Sequence, residues 1–259
     1  MKIQINYDRP SELQTDLLVL ITDPQTELFT LSGSPIEETV RRIVHDIHSR
    51  KIRKEYFSAL DSKSRVKNIA VYSTALNPSF NVWENVKTYI AKALRTAQDL
   101  GLNKVSVLLN TDAAVPFVGK ATEGAILGVY TFDKYRKDKS DLSKLQFDIV
   151  ALKAHDSSNQ HYLTRYSIVS EATNMARDMI NEPGSVVIPE YMAAAASRIA
   201  KEADLDLKIW DDRRLAKEGF NGLIQVGRGS AHPPRLIKLA YRARKARYHL
   251  AFVGKGVIF

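Results

Sequence analysis

The sequence predicts an α/β fold, and three observations carry that prediction. Short runs rich in β-branched and apolar residues alternate with stretches of helical periodicity through all 259 residues. Hydrophobic residues make up 44% and charged residues 26%, the balance of a chain with a packed core, so wholesale disorder is excluded. No apolar run approaches the ~20 residues a helix needs to cross a bilayer.

In chain order, Lys2–Tyr7 alternates like a strand, and the start lacks the apolar stretch of a signal peptide. Asp16–Ile21, Asn68–Ser73, Lys104–Asn110 and Gln146–Leu152 are the next strand candidates. Between them the periodicity predicts helices over Ile36–Ser49, Asn81–Leu100 and Thr122–Tyr130. The second places Val82, Val86, Ile90, Leu94 and Ala97 on one stripe, and Gly101 follows where a left-handed C-cap is wanted. Tyr135–Asp141 reads as a charged, solvated turn. Lys153–Gln160 is polar and reads as a domain edge.

Helical spacing resumes over Tyr162–Ile180, with Ile168, Ala172, Met175, Ala176 and Met179 on one face. Asn181-Glu182-Pro183-Gly184-Ser185 ends that helix, and Pro189 opens another that runs to about Ala203. Leu207–Trp210 reads as a strand, Arg213–Gly219 as a short helix, and Arg235–Ala240 and Tyr248–Val253 as two more strands. Three strands with open edges make a poor stand-alone fold, so this second region reads as incomplete.

The net charge of +9 is localised. From Gly219 to Phe259 there is no acid, against eight bases: Arg228, Arg235, Lys238, Arg242, Arg244, Lys245, Arg247 and Lys255. Residues 1–218 hold 30 bases and 29 acids and are almost neutral. The tail is either a basic patch for an acidic partner, or its compensating acids lie beyond Phe259; the second reading is preferred. With no cysteine, disulfide and thiolate chemistry are excluded, and a cytoplasmic protein is expected.

Several small motifs fail their chemical requirements. His45 and His48 are three apart, whereas the zinc-protease helix needs His-Glu-x-x-His. His155, His161, His232 and His249 lack spaced partners. Gly119-Lys120 and Gly254-Lys255 are followed by Ala121 and Gly256, not by the Ser or Thr of a phosphate-binding loop. Gly227-Arg228-Gly229 lacks the third glycine of a dinucleotide fingerprint. Tyr241–Tyr248 interleaves bases with aromatics as nucleic-acid segments can, but a charged loop between strands is the preferred reading. Phe252-Val253-Gly254-Lys255-Gly256-Val257 delivers one lysine between two glycines, which permit unusual backbone angles and close approach to a ligand. On spacing alone it reads as a strand end with a tight turn.

Taken together, four blocks resemble the leucyl aminopeptidase family in order and spacing: Ala172–Pro183, Ile188–Ala193, Val226–Ser230 with Pro233–Ile237, and Phe252–Val257. A weaker likeness covers Glu123–Tyr130 with Phe132–Tyr135. Gly184-Ser185 and Ile258 depart from the family's commoner residues. The resemblance implies a small N-terminal α/β domain with a mixed sheet (1–155), a linking helix (156–182) and the incomplete start of an α/β/α metallopeptidase domain (183–259).

It further implies a cytoplasmic homo-hexamer that removes N-terminal residues from peptides with two divalent metals, zinc or manganese. The metals would hold the free amine, polarise the carbonyl and activate a bridging water. Lys255 maps onto a metal-ligating lysine. An amine binds metal only when unprotonated, a form that burial and a nearby dication favour. The remaining ligands, the second lysine and the arginine of the family site belong after Phe259. No catalytic residue is therefore assigned within this chain, no metal is expected to bind it stably, and it is expected to be inactive alone. DNA binding or an assembly role of the basic tail is the alternative, since some bacterial relatives bind DNA.

Overall fold

Leu17-Leu18-Val19-Leu20-Ile21 is an unbroken apolar run, and in the computed structural model each of its side chains is at most 1% exposed. Such a run suits a strand covered on both faces. Residues 1–22, 31, 33–49, 55–60, 64–73, 82–110, 117–151 and 157–257 are described by the structure. They divide into two compact units, Met1–Arg177 and Asp178–Phe259.

In chain order the first unit carries β1 (Lys2–Asn6), a 3-10 turn (Pro10–Glu12), β2 (Thr15–Thr22), α1 (Glu37–Ser49), β3 (Glu55–Ala59), β4 (Val66–Ser73) and α2 (Val82–Asp99). β5 (Lys104–Asn110), α3 (Phe117–Gly128), β6 (Gln146–Val150) and the long α4 (Ser157–Asn181) follow. The six strands form one sheet in the order β1-β6-β5-β2-β4-β3. All neighbours are parallel except β3, which runs antiparallel to β4 at one edge, so the sheet is mixed as expected.

The alternation of β2 sorts the two faces. Leu17, Val19 and Ile21 pack with Val86, Ile90 and Leu94 of α2 and Ala121 and Ala125 of α3. Leu18 and Leu20 face Val40, Ile43, Val44 and Ile47 of α1. Full burial of each such side chain contributes about 1.5–3 kcal/mol, which makes β2 the axis of the unit. α1 begins with Glu37 and Glu38, acids at the positive end of the helix dipole. α2 ends as predicted, with Gly101 at φ +66° and a Leu102 N–H bond back to the Ala97 carbonyl.

Several expectations need adjustment. β3 was not anticipated, and α3 starts at Phe117 rather than Thr122. The expected ends Asn81 and Leu152, like the first half of the polar edge Lys153–Gln160, lie outside the described residues. On α4 the anticipated apolar face is not the buried one, since Ile168 is 62% exposed and Ala172 and Ala176 are exposed too. The stripe it buries is instead set by Tyr162 and Leu163, which pack on the core, and by Ser170. Burial follows what α3 presents, and it meets this helix with Gly119 and with the carbonyls of Ile126 and Leu127.

The second unit contains α5 (Pro189–Glu202), β7 (Asp206–Trp210), α6 (Asp212–Lys217), α7 (Asn221–Gly227) and β8 (Leu236–Ala240). β7 and β8 pair antiparallel as a two-stranded sheet. Pro189 occupies the first turn of α5 as expected, and Asp211 caps α6 by accepting from the Arg214 N–H at 2.8 Å.

Candidate metal centre

Lys255 is the residue the sequence assigns to a metal. The strand expected over Tyr248–Val253 is not formed. This stretch has no ladder partner among the described residues, and Phe252 and Val253 are 91% and 98% exposed. Strand preference records how side chains fit a pleated, half-buried surface, and no neighbouring strand supplies that surface here. The tight turn is formed, with the Val257 N–H donating to the Lys255 carbonyl at 3.1 Å. Gly254 and Gly256 leave open space around the lysine, and a Cβ on either would meet nothing within 4 Å. Neither takes a positive φ. Their permissiveness is therefore unused in this conformation, while their lack of side chains leaves the ammonium accessible.

Among the described residues no group of three or more His, Cys, Asp or Glu side chains is arranged to hold a metal ion. One lysine is one donor, and a dication needs several. The described residues therefore do not by themselves fit a two-metal cluster. His45, His161, His232 and His249 are exposed, His161 lying edge-on to Tyr162 at 6.1 Å. His155, the side chain of His48, Ile258 and Phe259 lie outside the described residues.

The structure brings two of the four sequence blocks, Ile188–Ala193 and Val226–Ser230 with Pro233–Ile237, together around Arg235. Its guanidinium donates to Glu190 at the start of α5 (2.8 Å) and to Asp212 at the start of α6 (3.2 Å). Within the second of these blocks, Gly227 lies so close to Pro234 that an added Cβ would stand 2.9 Å from its ring. Each acid sits in the first turn of a helix, where negative charge is favoured, and the forked guanidinium spans both. These blocks build a scaffold rather than a reaction centre. Sequence reading missed this role of Arg235.

Residues 174–259 match the model of the cytosol aminopeptidase family, catalytic domain. A probable cytosol aminopeptidase of Sulfurihydrogenibium sp. is 32% identical in an alignment covering all of this chain and 53% of that protein. One from Aquifex aeolicus is 40% identical over 139 residues, 53% of this chain and 27% of its own length. Among solved structures, a tomato leucine aminopeptidase mutant superposes with a TM-score of 0.75 at 13% identity, covering 95% of this chain and 52% of that one. A bottromycin maturation enzyme in complex with Mn gives 0.65 at 23%, covering 89% and 46%. At those identities the two structures speak for the fold alone. The chain spans about half the length of the relative that it matches from end to end. The family that these sequence matches support is that of the cytosol, or leucyl, aminopeptidases, whose catalytic-domain model residues 174–259 match.

Proposed function

We propose that this chain contributes the N-terminal domain and the opening of the catalytic domain of a metal-dependent aminopeptidase that releases N-terminal amino acids, leucine-type, from peptides. The observation that carries the reading is the match of residues 174–259 to the family's catalytic domain, two of whose blocks meet at Arg235. In this reading residues 1–155 are the N-terminal domain, 156–182 the linking helix and 183–259 the start of the catalytic domain. Lys255 is a ligand to one of two divalent ions, zinc or manganese, when the other donors are present. Peptides are the substrates, the assembly is a homo-hexamer and the site of action is the cytoplasm. No helix among the described residues is long and apolar enough to cross a membrane.

With one assigned donor, the 259-residue polypeptide is expected to show no turnover of leucine p-nitroanilide in excess Mn²⁺. Turnover that copurifies with the chain and disappears with a chelator overturns that expectation. The assignment of Lys255 is tested in a chimera carrying residues 1–259 followed by the remainder of the Sulfurihydrogenibium relative. Metal content should fall on Lys255→Ala, and an unchanged content with retained activity sinks the ligand role.

A second reading rests on a separate observation. Arg242, Arg244, Lys245 and Arg247 are all exposed beside Tyr241 and Tyr248, themselves 78% and 88% exposed. Such a run suits the phosphates of DNA. Binding to random duplex should weaken steeply with salt, and no binding at low salt refutes this reading.

A further inference from the structure

The C-terminal end of α3 is closed by side chains from two other helices. The Ala125 carbonyl still receives a backbone bond, from Val129 at 3.3 Å. The next three carbonyls are taken by side chains. Asn174 Nδ2 donates to Ile126 O at 3.3 Å, an Arg177 guanidinium nitrogen to Leu127 O at 3.2 Å, and Arg95 Nε to Gly128 O at 2.7 Å. The last carbonyls of a helix have no partner inside it and carry the negative end of its dipole. Two guanidinium groups and an amide therefore meet three consecutive acceptors where positive charge is most favoured.

Arg95 comes from α2, whereas Asn174 and Arg177 stand three apart on α4 and so share a face. These two also hold each other, since Arg177 donates to Asn174 Oδ1 at 3.2 Å, and the guanidinium lies 5.4 Å from the Tyr130 ring centre. Toward its start α4 is held by apolar contacts of Tyr162 and Leu163 with the core and by the Tyr166 ring against Gly119 of α3, all well before these residues. Between Thr164 and Arg177 the only fully buried residue is Ser170, whose hydroxyl has no hydrogen-bond partner. The second half of α4 thus depends on polar contacts to stay on α3.

We propose that Asn174 and Arg177 form a latch that fixes the second half of α4 to the C-terminal end of α3. Both lie in the Ala172–Pro183 block, and the match to the catalytic domain begins at Asn174. Their partners nonetheless belong to the N-terminal unit, so their work is positioning and not catalysis. The inference rests on the fold and stands or falls separately from the peptidase reading.

Hydrogen exchange on the 259-residue chain tests it. In Asn174→Ala/Arg177→Ala, amides of α4 from Tyr166 to Arg177 should exchange about tenfold faster, the factor set by losing one charge-assisted bond, while Leu17–Ile21 stay protected. Arg95→Ala is the control: it removes a cap from the same carbonyl cluster but should leave α4 exchange unchanged. Wild-type exchange in α4 of the double variant, or equal loosening by Arg95→Ala, overturns the proposal. If the double variant loses protection across the sheet, Arg177→Lys decides. It keeps the charge and loses the fork, so faster exchange confined to α4 supports the latch, and wild-type rates reject it.

Discussion

Gly128→Ala places one methyl group at the closest approach of α2 and α3. The new Cβ would stand 2.4 Å from Ala91 Cβ and 2.5 Å from Ala91 Cα. Carbon atoms in contact settle at about 3.5–4.0 Å, so the helices must part by roughly 1 Å here or the last turn of α3 must unwind. Parting them loosens the layer in which Ala93, Ala97, Ala121 and Ala125 are at most 1% exposed. Unwinding gives up the 2.7 Å bond from Arg95 to the Gly128 carbonyl. Overpacking of this kind costs about 1–3 kcal/mol. Alanine recovers up to ~1 kcal/mol of helix propensity in a helix interior, and less at the final residue of α3. The expected net loss is about 1–2 kcal/mol, or a Tm lower by about 2–8 °C for a unit of this size. Urea unfolding followed by far-UV circular dichroism measures it, with midpoints compared at a common slope. Ala91→Gly removes the nearer clashing atom, so the pair should show a favourable coupling of about 0.5–1 kcal/mol in a double-mutant cycle. A Gly128→Ala protein as stable as wild type, or zero coupling to Ala91→Gly, refutes the reasoning.

Two further outcomes follow from the charges. Partial burial opposes ionisation of Asp16, but the hydrogen bond from Lys67 and the backbone N–H groups of Lys104 and Asn103 outweigh it and hold the carboxyl below its ordinary value. Its folded pKa being depressed, its contribution is complete above the unfolded value and is lost as pH falls through the folded one. Asp16→Asn should therefore flatten the acid limb of a stability-against-pH curve, and an unchanged limb counts against this role. Arg235→Ala should destabilise the second unit by about 1 kcal/mol, since the ion pairs to Glu190 and Asp212 are partly solvated. Arg235→Lys should recover less than half of that in thermal melts, because a single ammonium does not span two acids as a fork does.

Legibility in the sequence followed how much of an element's stability is local. β2 and β4 were readable because each carries enough apolar residues to declare burial by itself, and α2 because its stripe and its Gly101 stop agree. β3 hides because Glu55-Tyr56-Phe57-Ser58-Ala59 shows no alternation: Tyr56 and Phe57 are adjacent and both more than 40% exposed. An edge strand is defined by its partner, here β4, and not by its own pattern. The early start of α3 was masked by Gly119, which reads as a breaker. In the fold it makes room for Tyr166, whose ring would stand 2.5 Å from an added Cβ. α7 was missed for a related reason, since Asn221-Gly222 at its start carries the residues of a turn. The face of α4 was misread because apolar periodicity does not register a contact made by an arginine and an asparagine on backbone carbonyls.

For the site, residue type and order pointed to a family, but they did not fix the surroundings of the one assigned ligand, on which the metal reading depends. Of the eight bases in Gly219–Phe259, Arg235 and Arg242 make ion pairs, to Glu190, Asp212 and Asp206, while Lys255 stands in open, exposed chain. Phosphate binding uses a protonated lysine in water, and its strength falls with salt. Metal ligation uses the neutral amine, which needs dry surroundings and other donors nearby. The neighbours Leu250, Phe252 and Val253, at 80%, 91% and 98% exposure, are what such surroundings would be made from once something covers them. If that stretch becomes buried beside further donors, Lys255 gains the surroundings that ligation requires, while the DNA reading, carried by Arg242, Arg244, Lys245 and Arg247, is untouched. If it stays in water, Lys255 lacks those surroundings, and the metal reading loses its ligand. The exposure of Phe252 and Val253 in the working protein therefore tests the metal reading alone, and the salt dependence of duplex binding tests the other.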